Sequence, residues 1–195
     1  MGRYCIGVTP LERWESRYAA GERGGRKPSP LVIQAMDFGG APGRALDLAC
    51  GAGRNALLLA KNGWDVTAVD GSPTAIQVVQ RRAKRLGVEI DARVIDLVTD
   101  APLPFPDQAF DLVSVILFLH RPLYAEVKRV VRAGGIIAAA AHMTDVEAPP
   151  MNPDFLLEAG ELETYFAGCE ILFAREGSPR DDAHKRAVAE LIARR

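Results

Sequence analysis

One stretch of this sequence joins an apolar run to a glycine turn: Ala45-Leu46-Asp47-Leu48-Ala49-Cys50-Gly51-Ala52-Gly53-Arg54-Asn55. The apolar half is typical of a buried strand, and the residues after Gly53 open a helix. Glycine suits the turn because the backbone there must bend sharply and approach a ligand with no Cβ in the way. The spacing Gly51-x-Gly53-x-x-Ala56 also matches the dinucleotide fingerprint, so the turn alone does not distinguish one nucleotide cofactor from another.

The strand-then-helix rhythm continues from this stretch toward the carboxyl terminus. Strands are predicted over 45–49, 65–69, 89–95, 110–118 and 136–142, and helices over 55–61, 73–86 and 123–131. Such alternation predicts a parallel sheet with helices on both faces. In the tail, a helix is predicted over 155–166, followed by strands over 170–176 and 187–192 that must pair antiparallel. The last run also fits a helical period, and both interpretations stay open at this point.

Two acidic residues beside the turn indicate the kind of cofactor. Asp70 follows the second predicted strand, nineteen residues after Gly51, where a carboxylate can accept hydrogen bonds from both hydroxyls of a ribose. Asp47 lies four residues before Gly51, where a second carboxylate would repel a pyrophosphate but would suit a cationic amino group. The pair therefore favours S-adenosylmethionine, which bears an ammonium and a sulfonium, over NAD.

In the order and spacing of its motifs, the chain resembles a class I S-adenosylmethionine-dependent methyltransferase. The family's successive motifs resemble residues 47–53, Val69-Asp70, Ile95-Asp96-Leu97, Phe110-Asp111-Leu112-Val113 and the turn at Arg132-Ala133-Gly134-Gly135. This resemblance implies an α/β fold with a doubly wound, mostly parallel sheet of seven strands that ends in an antiparallel hairpin. The segments Trp14-x-x-Arg17-Tyr18, Pro28-Ser29-Pro30 and 50–55 are similar to the branch that includes tellurite-resistance-type and thiopurine-type methyltransferases.

The resemblance also implies which residues form the cofactor site. The glycine turn would hold the methionine end, Asp70 the ribose, and Asp96 with Leu97 the adenine. The implied cofactor-binding residues are Asp47, Ala49, Gly51, Gly53, Asn55, Asp70, Gly71, Ser72, Asp96 and Leu97, with Trp14 and Tyr18 from a covering segment. Residues 1–40 are expected to supply that lid as two helices, and residues 41–195 the methyltransferase domain. At Ala49 the sequence departs from the family, because many members carry glycine there.

The reaction expected is methyl transfer from S-adenosylmethionine to a small acceptor such as a thiol or a chalcogen oxyanion, with S-adenosylhomocysteine as the product. His120 follows the predicted strand 110–118, at the edge where open α/β sheets bind ligands. It is therefore a candidate general base, although capping of the next helix explains it equally well. Arg17 and Arg54 are candidate contacts for an anionic acceptor.

The composition excludes several other classes of protein. The chain has 195 residues, of which 48% are hydrophobic, and a net charge of −1, which predicts one folded domain with no basic excess for nucleic acid. No apolar run reaches the ~18 residues of a membrane span. The three cysteines and three histidines share no ligand spacing, so no metal site is predicted. We expect a cytoplasmic monomer or homodimer with a small-molecule partner.

Two other functions remain open on the sequence. A protein that binds S-adenosylmethionine without turnover would keep the same motifs. A nicotinamide-dependent oxidoreductase would share Gly51-x-Gly53-x-x-Ala56 and Asp70, and Asp47 is the main difficulty for that interpretation.

Overall fold

The structure is a computed structural model that describes residues 9–21, 27–99, 101–145, 148–149, 151–180 and 186–195. Its helices are α1 (Pro10–Ala19), α2 (Pro30–Gly39), α3 (Arg54–Lys61), α4 (Pro73–Leu86), α5 (Leu123–Val130) and α6 (Glu161–Tyr165). Its strands are β1 (Arg44–Leu48), β2 (Asp65–Asp70), β3 (Asp91–Val94), β4 (Phe110–Ile116), β5 (Val131–His142), β6 (Glu170–Gly177) and β7 (Val188–Arg194). Within the described ranges, no helix combines the length and the apolar character needed to cross a bilayer.

The seven strands form one sheet in the order β3-β2-β1-β4-β5-β7-β6. Strands β1 to β5 run parallel to one another, whereas β7 runs antiparallel to both β5 and β6. This confirms the predicted doubly wound sheet and its antiparallel hairpin. The strand order reverses between β1 and β4, and such a switch point leaves a crevice at the carboxyl ends of the strands.

Apolar side chains cover both faces of the sheet. Leu46 and Leu48 of β1 pack with α5 and α6 on one face, and Ala45 packs with α2, α3 and α4 on the other. These three side chains are fully buried. Burial of apolar surface on this scale is the main stabilising contribution to the fold, at about 25 cal/mol per Å².

Helix α4 shows how local sequence sets an element's bounds. The Ser72 side chain accepts a hydrogen bond from the Ala75 backbone N–H, Pro73 occupies the first turn, and Gly87 ends the helix in the left-handed conformation with φ 66°. Serine, proline and glycine are each preferred at these positions. The predicted helix over 73–86 is therefore confirmed to the residue. Its N-terminal turn lies beside the site described below.

The predicted helix over 155–166 is wrong in extent. The structure has one turn of 3-10 helix over Pro153–Phe155 and the short α6. Between them Leu157 is buried and forms a parallel bridge with Met143, and Gly160 adopts φ 74° directly before α6. An extended segment that pairs with the end of β5 competes with the helix, and the periodicity of the sequence does not reveal that long-range partner.

The last apolar run is a strand and not a helix. All residues of β7 except Arg194 are buried, because β7 lies between β5 and β6 in the sheet. A strand with neighbours on both edges and helices on its faces needs no polar side. Because both faces of β7 are buried, its sequence lacks the alternation of apolar and polar residues that marks a half-buried strand. The same sequence therefore also fits a helical period.

Candidate functional site

The glycine turn joins β1 to α3 at the carboxyl edge of the sheet. Ala49, Gly51 and Gly53 have φ of 51°, 54° and 80°, all in the region that favours glycine. A Cβ on Gly53 would lie 2.8 Å from a methyl carbon of Val79 on α4, so the turn packs closely against that helix. Ala49 adopts the left-handed conformation in spite of its Cβ, at a cost on the order of 1 kcal/mol. The left-handed conformation at position 49, where many family members carry glycine, is thus kept here with alanine.

Asp70, at the end of β2, connects the two turns that face this edge. Its Oδ2 accepts a hydrogen bond from the Gly51 backbone N–H at 2.8 Å, and its Oδ1 accepts one from the Ser72 backbone N–H at 2.9 Å. Burial raises the pKa of this carboxyl. Each carboxylate oxygen has a further lone pair, so Asp70 can accept additional hydrogen bonds from a diol. The ribose role that the resemblance implies for Asp70 stays a prediction.

Asp47 lies beneath the turn, with 1% of the residue exposed. Its oxygens accept hydrogen bonds from the Ser114 hydroxyl at 2.7 Å and from the Ala56 backbone N–H at 3.1 Å. Burial raises the pKa of Asp47 to about 6. The carboxylate therefore holds the start of α3 in place.

Asn55 and Ser72 also support the site through internal contacts. The Asn55 side-chain oxygen accepts a hydrogen bond from the Ser29 backbone N–H at 2.9 Å, which ties α3 to the start of α2. Ser72 is fully buried as the N-cap of α4. Both residues were expected to bind cofactor, and in the structure they position the elements that frame the crevice.

The predicted adenine side lies beyond β3. Asp96 and Leu97 line a cavity of about 110 Å³ together with Thr99 and the first residues of α5. Leu97 is buried, and Asp96 accepts a hydrogen bond from the Val98 backbone N–H at 2.9 Å. His120 belongs to this side as well, since its Nε2 lies 3.3 Å from the Thr99 carbonyl oxygen.

A second, smaller cavity of about 20 Å³ lies at the ends of β4 and β5. Its lining includes Ser29, Arg54, Leu117, Ala140, Arg180 and Glu190. Leu117 has φ 59° and donates its backbone N–H to the Ala140 carbonyl at 2.7 Å. Of the residues predicted to contact the acceptor or to act as a base, Arg54 lines this cavity and His120 does not.

The residues predicted in the lid differ in whether they reach the glycine turn. The Tyr18 hydroxyl lies 2.5 Å from the position that a Cβ on Gly51 would take, so α1 reaches the glycine turn. Trp14 stacks on Tyr18 with 5.8 Å between ring centroids, yet it remains 45% exposed. The Arg17 guanidinium lies over the Trp14 ring, 4.4 Å from its centroid. Only Tyr18 of these three is brought against the turn.

Three contributors to the site were missed from the sequence. Ser114 is a lone hydroxyl in an apolar strand, and that contrast could have identified it as a partner for a buried acid. Arg82 donates a hydrogen bond to the Ala52 carbonyl at 2.8 Å, but nothing in the sequence separates it from the other basic residues of α4. Glu15 contacts Ser72, 57 positions away, a distance that no local pattern spans.

Comparison with known proteins identifies the domain. Residues 45–135 match the family described as methyltransferase domain. The chain contains a class I methyltransferase domain. This confirms the resemblance drawn from the motifs, and it supports S-adenosylmethionine as the cofactor. Within the described ranges, no group of three or more His, Cys, Asp or Glu side chains is arranged to hold a metal ion.

Relatives of the methyltransferase domain carry several names. The chain is 34% identical over 137 residues to hemagglutinin 1 of Eikenella corrodens, covering 68% of this chain and 45% of that protein. It is 34% identical over 112 residues to demethylmenaquinone methyltransferase of Thermus thermophilus, covering 56% and 49%. The chain thus spans less than half the length of these curated relatives. Among solved structures, TehB of Haemophilus influenzae superposes with a TM-score of 0.75 at 23% identity, over 93% of this chain and 67% of that chain, a likeness of fold.

Proposed function

We propose that the protein transfers a methyl group from S-adenosylmethionine to a small-molecule nucleophile. The observation that carries the proposal is the Asp70 carboxylate, which bridges the backbone N–H groups of Gly51 and Ser72 beside a turn in which Gly51 and Gly53 have no Cβ. This arrangement suits a nucleoside, because the carboxylate can accept from a ribose diol while the turn lets a ligand approach the backbone.

The residues of the crevice fit the cofactor in charge as well as in shape. Asp47 is buried and Asp70 is partly buried near the turn, and burial raises the pKa of each carboxyl. An incoming cation offsets that cost, whereas a pyrophosphate would increase it. In this proposal the glycine turn holds the methionine end, Asp70 the ribose, and Asp96 with Leu97 the adenine. The bound cofactor supplies an electrophilic methyl group on its sulfonium sulfur.

The task of the chain is then to hold the acceptor atom in line with that methyl group and to exclude water. The cavity at the ends of β4 and β5 lies where such an acceptor would enter, and Arg54 lines it. Its volume of about 20 Å³ holds roughly one water molecule, so the lining side chains must move for an acceptor to bind.

The position of His120 favours an acceptor that needs no general base. Its Nε2 faces the Thr99 carbonyl on the adenine side, and it does not line the cavity at the ends of β4 and β5. A thiolate or a chalcogen oxyanion is already a good nucleophile at neutral pH, whereas an alcohol must lose a proton during transfer. We therefore propose a soft nucleophile as the acceptor.

A methyl-transfer assay with labelled S-adenosylmethionine and a panel of thiols, selenite, tellurite and small phenols tests this proposal. We expect transfer to a soft nucleophile, with turnover of the His120→Ala variant within about twofold of the native protein, because a soft acceptor needs no base. A phenol as the best acceptor, with turnover lost in His120→Ala, would contradict it. Binding of S-adenosylmethionine without transfer to any member of the panel would favour a non-catalytic binding protein instead.

A further inference from the structure

Helix α1 is fastened to the N-terminus of α4 by one carboxylate. Glu15 accepts hydrogen bonds from the Ser72 hydroxyl, from the Thr74 hydroxyl and, at 3.3 Å, from the Thr74 backbone N–H. The hydrogen bond from Ser72, followed by that from Thr74, lowers the pKa of Glu15. A carboxylate at this end of a helix is also favoured by the helix dipole. Glu15 is thus ionised at neutral pH and bonded across the crevice.

On either side of this attachment, α1 fills the space that the glycines leave open. The Tyr18 hydroxyl lies 2.5 Å from the position of a Cβ on Gly51. A methyl carbon of Leu11 lies 2.7 Å from the position of a Cβ on Gly71. At such distances no atom of a ligand can pass between α1 and either glycine. The two glycines, which would let a ligand approach the backbone, let α1 approach it in this structure.

The helix is built to hold its own shape while it makes these contacts. Thr9 and Glu12 form a capping box at its start, and Glu15 and Tyr18 are three positions apart, on the same side of the helix. The cavities on the two flanks of the crevice are lined by neither Gly51 nor Gly71. The central part of the crevice, where the methionine and ribose ends would lie, is the part that α1 covers.

We propose that α1 is an intramolecular competitor of the cofactor, seated on the glycine turn and on the start of α4, and displaced when the cofactor binds. This inference rests on the proposed cofactor. It differs from a lid that folds over a bound cofactor, because a lid and its ligand stabilise each other whereas α1 and the cofactor exclude each other. The two arrangements predict opposite signs for the same measurements.

Hydrogen exchange of the native chain, with and without saturating S-adenosylhomocysteine, measures the sign directly. Displacement predicts that the amides of 10–19 exchange faster when the compound is bound, while those of 51–53 and 70–75 exchange more slowly. Slower exchange over 10–19 on binding would overturn the proposal in favour of a lid.

A pair of variants tests the attachment. Glu15→Ala removes the bonds to α4, and Arg13→Ala is the matched control, since Arg13 is an exposed residue of the same helix. Loss of a charge-assisted attachment raises the fraction of the open form, so Glu15→Ala should bind S-adenosylhomocysteine roughly tenfold more tightly, mainly through faster association. Arg13→Ala should bind as the native chain does.

The alternative outcomes are distinguishable. Faster dissociation in Glu15→Ala, or an affinity equal to that of the native chain, would overturn the competitor role. Tyr18→Phe, which removes only the hydroxyl over Gly51, provides a second variant with little risk to folding, and the competitor role predicts a smaller tightening in the same direction. If neither the native chain nor any of these variants binds S-adenosylhomocysteine, the proposed function itself fails, and this inference with it.

Discussion

Asp47 and Asp70 show how two carboxylates near one turn come to have different roles. Asp47 is enclosed, and it accepts hydrogen bonds from the Ser114 hydroxyl and the Ala56 backbone N–H. Asp70 is only partly buried, and it lies between two backbone N–H groups at the mouth of the crevice. The spacing of both residues from Gly51 was visible in the sequence, and Asp70 lies where that spacing predicts. The interior position of Asp47 was not predictable, because its partner Ser114 is 67 positions away.

The raised pKa of Asp47 gives the protein a pH-dependent stability that Asp47→Asn should remove. The pKa is about 6 in the folded chain against 3.8 without the surroundings, so the folded state binds the proton more tightly. The contribution of Asp47 to stability is therefore greatest below pH ~4 and falls as the pH rises to ~6. Relative to the native chain, Asp47→Asn should gain about 2 kcal/mol of stability between pH 4.5 and 7.5. Urea denaturation at the two pH values measures this, and a difference that does not change with pH would refute it.

Substitution by alanine should destabilise the protein more at Gly53 than at Gly63, although the two glycines have similar backbone conformations. Gly53 and Gly63 have φ of 80° and 85°, but a Cβ would meet Val79 at 2.8 Å in the first and only Pro42, at 3.7 Å, in the second. Both alanine variants carry the left-handed strain, and only Gly53→Ala adds overpacking of about 1–3 kcal/mol. Chemical denaturation of both variants gives the difference. Equal losses of stability would mean that the turn does not pack against α4 as described.

At the scale of elements, sequence and structure agree where local signals suffice. Helix α4 is bounded by a serine cap and a glycine stop, and both lie within its own sequence. The segment before α6 is different, since Leu157 bridges Met143 and the loop is held by Arg121, which lies in the turn before α5. Contacts between segments decided its conformation, which is why periodicity alone predicted a longer helix.

The Arg121 side chain should control the order of that segment. It donates hydrogen bonds to the carbonyls of Asp154 and Leu156, and it forms an ion pair with Glu161 at 2.6 Å. The Arg121 side chain is 39% exposed, so the pair contributes little to global stability, on the order of 1 kcal/mol. Arg121→Ala should therefore raise hydrogen exchange over 153–165 while the central strands keep their protection.

Arg93→Ala is the control for this prediction. Arg93 forms a similarly short ion pair with Asp91 on the edge strand β3, and its guanidinium also lies over the Phe105 ring, so neither of these contacts involves 153–165. Exchange over 153–165 should stay unchanged in that variant. Unaltered exchange over 153–165 in Arg121→Ala as well would show that the loop is ordered by its apolar contacts alone.

At the scale of the whole molecule, the methyltransferase domain could be predicted because its signals are local and repeat in order along the chain. Five motifs each follow or precede a strand, and the parallel sheet brings the carboxyl ends of those strands to one edge. The cavity at the ends of β4 and β5 was beyond such reasoning, since it is formed by residues as distant as Ser29, Arg54 and Glu190. Contacts of this kind are encoded by no motif, and the sequence therefore did not identify the proposed acceptor.

Calorimetric titration of the full chain with S-adenosylhomocysteine, and separately with NAD, tests the central claim most directly. Asp70→Ala removes the carboxylate at the crevice, and Asp65→Ala, an exposed acid at the opposite end of β2, is the matched control. We expect S-adenosylhomocysteine to bind the native chain and Asp65→Ala alike, and Asp70→Ala at least about tenfold more weakly, because charge-assisted hydrogen bonds to the ribose are lost. Binding of NAD without binding of S-adenosylhomocysteine would contradict the proposed function and would favour a nicotinamide-dependent oxidoreductase.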